Sequence, residues 1–233
     1  MCVAALAWHA HPRWQLVAIG NRDEFHLRAS APLACWDDGI IAGRDLAAGG
    51  TWLGVSGARF GLVTNLRAEG FPQAGLASRG ALVTDWLRGQ LPDRAQAMNP
   101  FNLWLAGDQC LTFATNHPAW TQHHLPPGIH GLSNGARGDR WFKTARLETA
   151  LATWLDQDQP PEALFAALRD QTPQSPDPED AFSSVFIASP AYGTRCSTVV
   201  LIDAEGQGRI IERSFDAAAQ QTGEVALEFR GIN

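Results

Sequence analysis

The stretch "CVAALAWHAHPRWQLVAIGNRDEF", residues 2–25, decides how the rest of the chain is read. It holds two apolar runs, residues 2–9 and 14–21, separated by "AHPR" with Pro12 in a short turn. Neither run alternates polar with apolar, so each suits a strand covered on both faces. A turn around His11-Pro12 sets His9 across from Trp14 and Cys2 across from Asn21. Neighbouring strands lie only ~5 Å apart. Arg22, Asp23 and Glu24 therefore overhang the end of the pair that carries Cys2. A cysteine behind the initiator methionine is open to two readings. It is an ordinary first residue of a strand, or, once Met1 is removed, a thiol and an α-amine on one residue, a nucleophile that carries its own base.

The same grammar continues. "GGTWLGVS" and "RFGLVTN" flank Gly57-Ala58, a pairing that suits a two-residue turn with glycine first, and carry Asn65 to a position opposite Gly50. "FNLWLA" and "CLTFATN" flank "GDQ"; "SSVFIAS", "STVVLID", "GRIIERSF" and "EVALEF" repeat the pattern toward the carboxyl end. Helical spacing marks "SRGALVTDWLRG", with Ser78 placed to cap it, the long segment 140–156, and "PPEALFAALRD", which starts on proline. Residues 171–181 are proline-rich and acidic and read as an exposed loop. No repeat or boundary divides the chain, which predicts one α+β domain over 1–233 with sheets covered on both faces.

Composition limits the function. The 233 residues are 45% hydrophobic and carry a net charge of -6, with no basic stripe for nucleic acid. No apolar run approaches the ~20 residues of a membrane span. The amino terminus lacks the basic region of a signal peptide, which points to the cytoplasm. Cys2, Cys35, Cys110 and Cys196 are scattered, which argues against a disulfide framework or a zinc knuckle. Lys143 is the one lysine among 18 basic residues, and so the one candidate for Schiff-base chemistry.

Three asparagines punctuate strand ends, in "GNR" (20–22), "TNLR" (64–67) and "GLSNG" (131–135). The Met-Cys start, "NRDEF", "GGTWLG", "GLVTN" and "GTRCSTVVLID" make the chain resemble the NRDE (Transport and Golgi organisation protein 2-like) family from residue 2 to about residue 215. That family looks like a branch of the N-terminal nucleophile hydrolases, similar to bile-salt hydrolases and penicillin V acylases. The resemblance implies a four-layer αββα sandwich and a hydrolase of linear amides. Carried over residue by residue, Cys2 matches the nucleophile and Arg22 the arginine beside it. Asp23 is the nearest match to the aspartate that holds the amine. Asn65 and Asn134 resemble the asparagines of the pocket and oxyanion site, and Arg195 resembles a late arginine near the nucleophile. Asn21, Glu24 and Trp52 are placed at the substrate.

The adjacent Arg22-Asp23 departs from those acylases, where two residues separate the pair. On a regular strand Arg22 and Glu24 share a face and Asp23 does not, so Asp23 and Glu24 both stay candidates for the carboxylate partner. The chemistry such a set permits is acyl transfer. A guanidinium favours a thiolate, the amine shuttles the proton, and amide donors stabilise the oxyanion. Against this stands a salt-bridge cluster that only pins the hairpin's end, with Asn65 and Asn134 as turn residues. His9 with His11, or His123 with His124, would need a third ligand to hold a metal, and none has the spacing. No metal and no resident cofactor is expected. The resemblance also supplies a second expectation, a non-catalytic carrier of haem or a lipid-like ligand in the same pocket. The partner is thus a small amide or an apolar ligand.

Overall fold

The computed structural model describes residues 2–57, 59–91, 97–107, 110–157, 159–177, 180 and 182–231. Met1, Ala58 of the second turn, Asp108 and Gln109 of the third, and 178, 179 and 181 of the acidic loop lie outside them.

Among the described residues the chain is α+β, with two antiparallel sheets and three helices. Strands β1 (Cys2–His11) and β2 (Trp14–Phe25) are inner strands of the first sheet. They are joined there by β10 (Gly128–Leu132), β11 (Tyr192–Asp203), β12 (Gln207–Phe215) and β13 (Gln221–Arg230), in the order β10-β1-β2-β11-β12-β13. The second sheet runs in chain order through β3 (Ser30–Cys35), β4 (Ile41–Asp45), β5 (Leu53–Ser56), β6 (Arg59–Asn65), β7 (Phe101–Gly107), β8 (Cys110–Thr115) and β9 (Thr121–Leu125). Helix α1 (Gly80–Leu87) packs on β5 and β6. Helices α2 (Phe142–Gln157) and α3 (Pro161–Leu168) pack on the first sheet, α2 against β1 and β10, α3 against β2 and β11.

The unbroken apolar runs of β1 and β2 have their reason in this packing. Ala4, Leu6, Trp8, Leu16 and Ala18 join Leu53, Phe60 and Trp104 of the other sheet in one core. The intervening Val3, Ala5, Ala7, Val17 and Ile19 join Leu147, Leu151 and Phe165 of the helices in another. A third core sets Val63, Leu103 and Leu105 against Leu82, Val83 and Leu87 of α1. At ~25 cal/mol per Å² of apolar surface, burial on both faces is what makes a polar residue at any of these positions costly.

The structure corrects three expectations. The first hairpin turns at Pro12-Arg13, so His11 and not His9 faces Trp14, and a β-bulge between Trp8 and His11, where His9 takes a positive φ of 44°, then steps the register back, leaving Cys2 paired with Arg22 and not with Asn21. The displaced turn moves the register by two positions and the bulge returns one, so every later partner differs by one position. "SSVFIAS" is no strand: it makes one isolated bridge, Ala188 to Gly193, and its Val185, Phe186 and Ile187 are apolar because they are buried. The strands β3, β4 and β9 are short and lack a marked apolar run, and none of the expected segments covers them. By contrast β5 and β6 pair as anticipated, Leu53 with Leu62 and Ser56 with Arg59.

Candidate functional site

Cys2, Arg22, Cys196, Ser214 and Gly223 are successive Cα partners across β1, β2, β11, β12 and β13. All five border one cavity of about 730 Å³ between the sheets, near the ends of their strands. The row places Cys2 and Cys196 two strands apart on either side of Arg22. That is ~10 Å, beyond disulfide reach, and both thiols are free.

Opposite this row, the second sheet and α1 supply the other wall. Gly50 and Gly80 meet so closely that a Cβ on Gly50 would lie 2.6 Å from the Gly80 carbonyl carbon. This approach brings Arg79 and the start of α1 to the cavity beside Trp52. Trp52 in turn lies over Gly20 of β2, where a Cβ would sit 3.2 Å from its ring.

Arg22 reaches two carboxylates, Asp45 at 3.6 Å and Glu24 at 3.9 Å. Arg28 shares both, with Nε 2.8 Å from Asp45 and 3.9 Å from Glu24. Arg22 Nη1 has no hydrogen-bond partner among the described residues. Arg195 occupies a bulge of β11, between Thr194 opposite Asp23 and Cys196 opposite Arg22. It borders the cavity and donates through Nη1 to the carbonyls of His26, at 2.8 Å, and Phe25, at 3.3 Å.

Asp23 is the odd member. Arg22 and Glu24 are ion-paired within the cavity, while the Asp23 carboxylate is 3% exposed and accepts a 2.7 Å hydrogen bond from the Thr194 hydroxyl. Burial drives its pKa up to about 6, against the opposing charges of Lys143 and Arg22. Its backbone N–H favours the charged form of the Cys2 thiol. For Cys2 itself burial is the largest influence and pushes the thiol above its ordinary pKa; the charge of Asp23 adds to the rise and Arg22 only moderates it. The expected sharpening of the thiol by the nearby guanidinium is thus outweighed by desolvation. Cys196 is pushed up further, by burial and by the adjacent Glu212.

Not all the expected site residues meet. Cys2, Arg22, Asp23, Glu24, Trp52, Asn65 and Arg195 border the cavity. Asn134 does not: it is fully buried, and its side-chain amide donates to the Asn65 carbonyl at 2.8 Å. Asn21 does not either. Its amide donates to the carbonyls of Leu168 and Val185, and its oxygen accepts from Ser197 Oγ at 2.6 Å, all on the helix side of the sheet. That follows from the register: with Cys2 opposite Arg22, Asn21 faces the other way.

A comparison with protein families matches residues 1–217 to the one described as Transport and Golgi organisation 2. The chain belongs to that family. The human Transport and Golgi organization protein 2 homolog is 29% identical, covering 92% of this chain and 93% of its own. The mouse homolog is 29% identical with the same coverage. The fly protein, Transport and Golgi organization protein 2, is 26% identical over 92% of each chain. The cavity row and the second sheet through β9 therefore lie within the span shared with the Transport and Golgi organisation 2 family, apart from β13.

Residues the motifs did not single out complete the family member's cavity. Asp45 and Arg28 close the ion network, Arg79 comes from α1, and Glu212 sits on β12. Glu212 is 4% exposed; its Oε1 accepts the Leu33 N–H at 2.8 Å and so ties β12 to β3, and burial raises its pKa. A carboxylate inside the apolar run "GRIIERSF" was the signal for it. Among the described residues no group of three or more His, Cys, Asp or Glu is placed to hold a metal, and no helix is long and apolar enough to cross a membrane.

Proposed function

We propose that this protein is a cysteine-dependent amidohydrolase of the N-terminal nucleophile type, hydrolysing a small linear amide through an acyl-Cys2 intermediate. The observation that carries the reading is the position of Cys2: it begins the strand row that floors the cavity, opposite Arg22. The helix–sheet–sheet–helix order of the three cores agrees with the αββα sandwich of those hydrolases.

The mechanism follows from the electrostatics. Burial keeps the resting thiol neutral, so its proton must leave as the attack occurs. In a chain that begins at Cys2 the α-amine takes that proton while Sγ bonds to the amide carbon and the carbonyl π pair moves onto oxygen. Donors for the oxyanion are the Asn65 amide and the uncommitted Arg22 Nη1; a donor of this kind commonly contributes ~3 kcal/mol. Asn134 acts through Asn65, whose carbonyl it holds. The amine then passes the proton to the leaving nitrogen as the C–N bond breaks. Water next attacks the thioester, releasing the acid and returning a proton to Sγ.

A panel of N-acyl p-nitroanilides tests this. Release of p-nitroaniline by the native protein, lost in Cys2→Ala, is expected; no release from any member, at several pH values, contradicts it.

One observation favours a second reading, a carrier of haem or a lipid-like ligand in the same cavity. Both cavity thiols are held neutral by burial, and Trp52, Val63, Leu76 and Val225 give the walls apolar area. Stoichiometric uptake of haemin with a Soret band, unchanged in Cys2→Ala, supports the carrier.

A further inference from the structure

Five arginines border the cavity of a chain whose net charge is -6. Arg22 and Arg28 share the carboxylates of Asp45 and Glu24. The Arg44 guanidinium lies over the Trp36 ring, 3.8 Å from its centroid. Glu224 is taken by Arg213, at 2.6 Å, and Glu212 by the Leu33 N–H. Arg79 and Arg195 are left without an ion pair among the described residues. A guanidinium drawn out of bulk water is costly unless an anion offsets its charge.

The two differ in what remains free. Arg195 spends Nη1 on two backbone carbonyls, and its Nε is closed from solvent without a partner. Arg79 is half-buried and spends only Nη1, on the Pro100 carbonyl at 3.1 Å; its Nε and Nη2 donate to no described residue. One edge of a planar fork is thus uncommitted, the geometry that grips a carboxylate through two parallel hydrogen bonds. The Pro100 contact and the close approach of Gly50 to Gly80 hold the guanidinium on the wall that faces the row of Cys2. A group held in this way loses little further freedom when a ligand arrives. Burial lowers the pKa of Arg79, and a bound anion would oppose that shift.

We propose that Arg79 is the anion-binding residue of the cavity, and that the ligand is a monocarboxylate with an apolar body. The carboxylate sits on the free edge of Arg79 and the apolar part lies along Trp52 and Leu76, which border the same cavity. A single uncommitted fork, with Glu24 and Asp45 close to the other arginines, suits one negative charge and not two. If the ligand is an amide cleaved at Cys2, it is an amide that also carries a carboxylate. That extension rests on the amidohydrolase reading; the anion site itself does not.

Isothermal titration of the native chain with hexanoate, heptanoate and octanoate, each against the alcohol of equal length, tests the site. The acids are expected to bind about tenfold tighter than the alcohols at pH 7, the effect of a charge-assisted contact. In Arg79→Gln that preference is expected to vanish while alcohol affinity stays as it was; in Arg79→Lys part of it returns. No binding of any acid, or equal binding of acid and alcohol by the native chain, overturns the proposal without any variant having to fold. So does a preference that survives in Arg79→Gln. Glutaryl p-nitroanilide and its methyl ester then separate the two claims. An acid preference in binding, with neither anilide cleaved, supports the site and contradicts the amidohydrolase reading. Cleavage of both at equal kcat/KM, by a chain without acid preference, does the reverse.

Discussion

The Asp23 carboxylate and the Thr194 hydroxyl, Cα partners on β2 and β11, meet at 2.7 Å in the dry layer between sheet and helices. One residue earlier, Arg22 turns to the opposite face and borders the cavity with Cys2. Adjacent residues of one strand thus serve two compartments.

Asp23 makes stability depend on pH. Its folded pKa, about 6, lies above the ordinary 3.8, so the folded chain binds the proton more tightly. Between about pH 4 and 6 the folded state holds a proton that the unfolded state lacks, and stability falls as pH rises through that window. At 1.36 kcal/mol per unit the loss is on the order of 3 kcal/mol. Asp23→Asn keeps an acceptor for Thr194 and removes this term. Urea unfolding is expected to show the variant gaining roughly that amount on the native protein between pH 4 and pH 7.

Asn21 has a structural task. Asn21→Ala strands the Ser197 hydroxyl and two buried carbonyls, those of Leu168 and Val185. A loss of about 3 kcal/mol in unfolding free energy is expected. Asn65→Ala, exposed at the cavity rim, is expected to cost less than about 0.5 kcal/mol. Hydrolysis of an N-acyl p-nitroanilide by Asn65→Ala should show reduced turnover, with KM little changed.

Thiol alkylation should follow exposure. Cys35 is exposed, while Cys2 and Cys196 are buried and burial raises both their pKa values. Peptide mapping after brief iodoacetamide treatment at pH 7.5 is expected to find Cys35 modified first. Arg22→Gln removes the positive charge that moderates Cys2 and should slow its alkylation further.

The ion network at the cavity is worth little singly and more together. Asp45→Asn weakens the contacts to Arg28 at 2.8 Å and to Arg22 at 3.6 Å. A double-mutant cycle of Asp45→Asn with Arg28→Gln should return a coupling of roughly 0.5–1 kcal/mol, shrinking in high salt.

Much of this was legible from residues 2–25. Unbroken apolar runs announced strands buried twice, and the step from Arg22 to Asp23 announced two faces. What was hidden was the turn at Pro12-Arg13 and the bulge at His9: nothing in "HAHPR" marks where the chain reverses or that His9 takes positive φ. Together they displaced Asn21 from the site. Asn134 illustrates a different limit, since an asparagine in a glycine-rich turn reads the same whether its amide meets a substrate or a neighbour's carbonyl. Asp45, Arg79 and Lys143 come from segments distant in sequence, and only the folded cavity and the packing of α2 relate them to Cys2.

The central claim is that Cys2 accepts an acyl group. Intact-mass spectrometry after mixing with an N-acyl p-nitroanilide and quenching in acid tests it most directly. The account predicts a chain beginning at Cys2 and carrying one added acyl mass, localised to that residue and absent from Cys2→Ala. A chain that keeps Met1, with no adduct at any quench time, would contradict it.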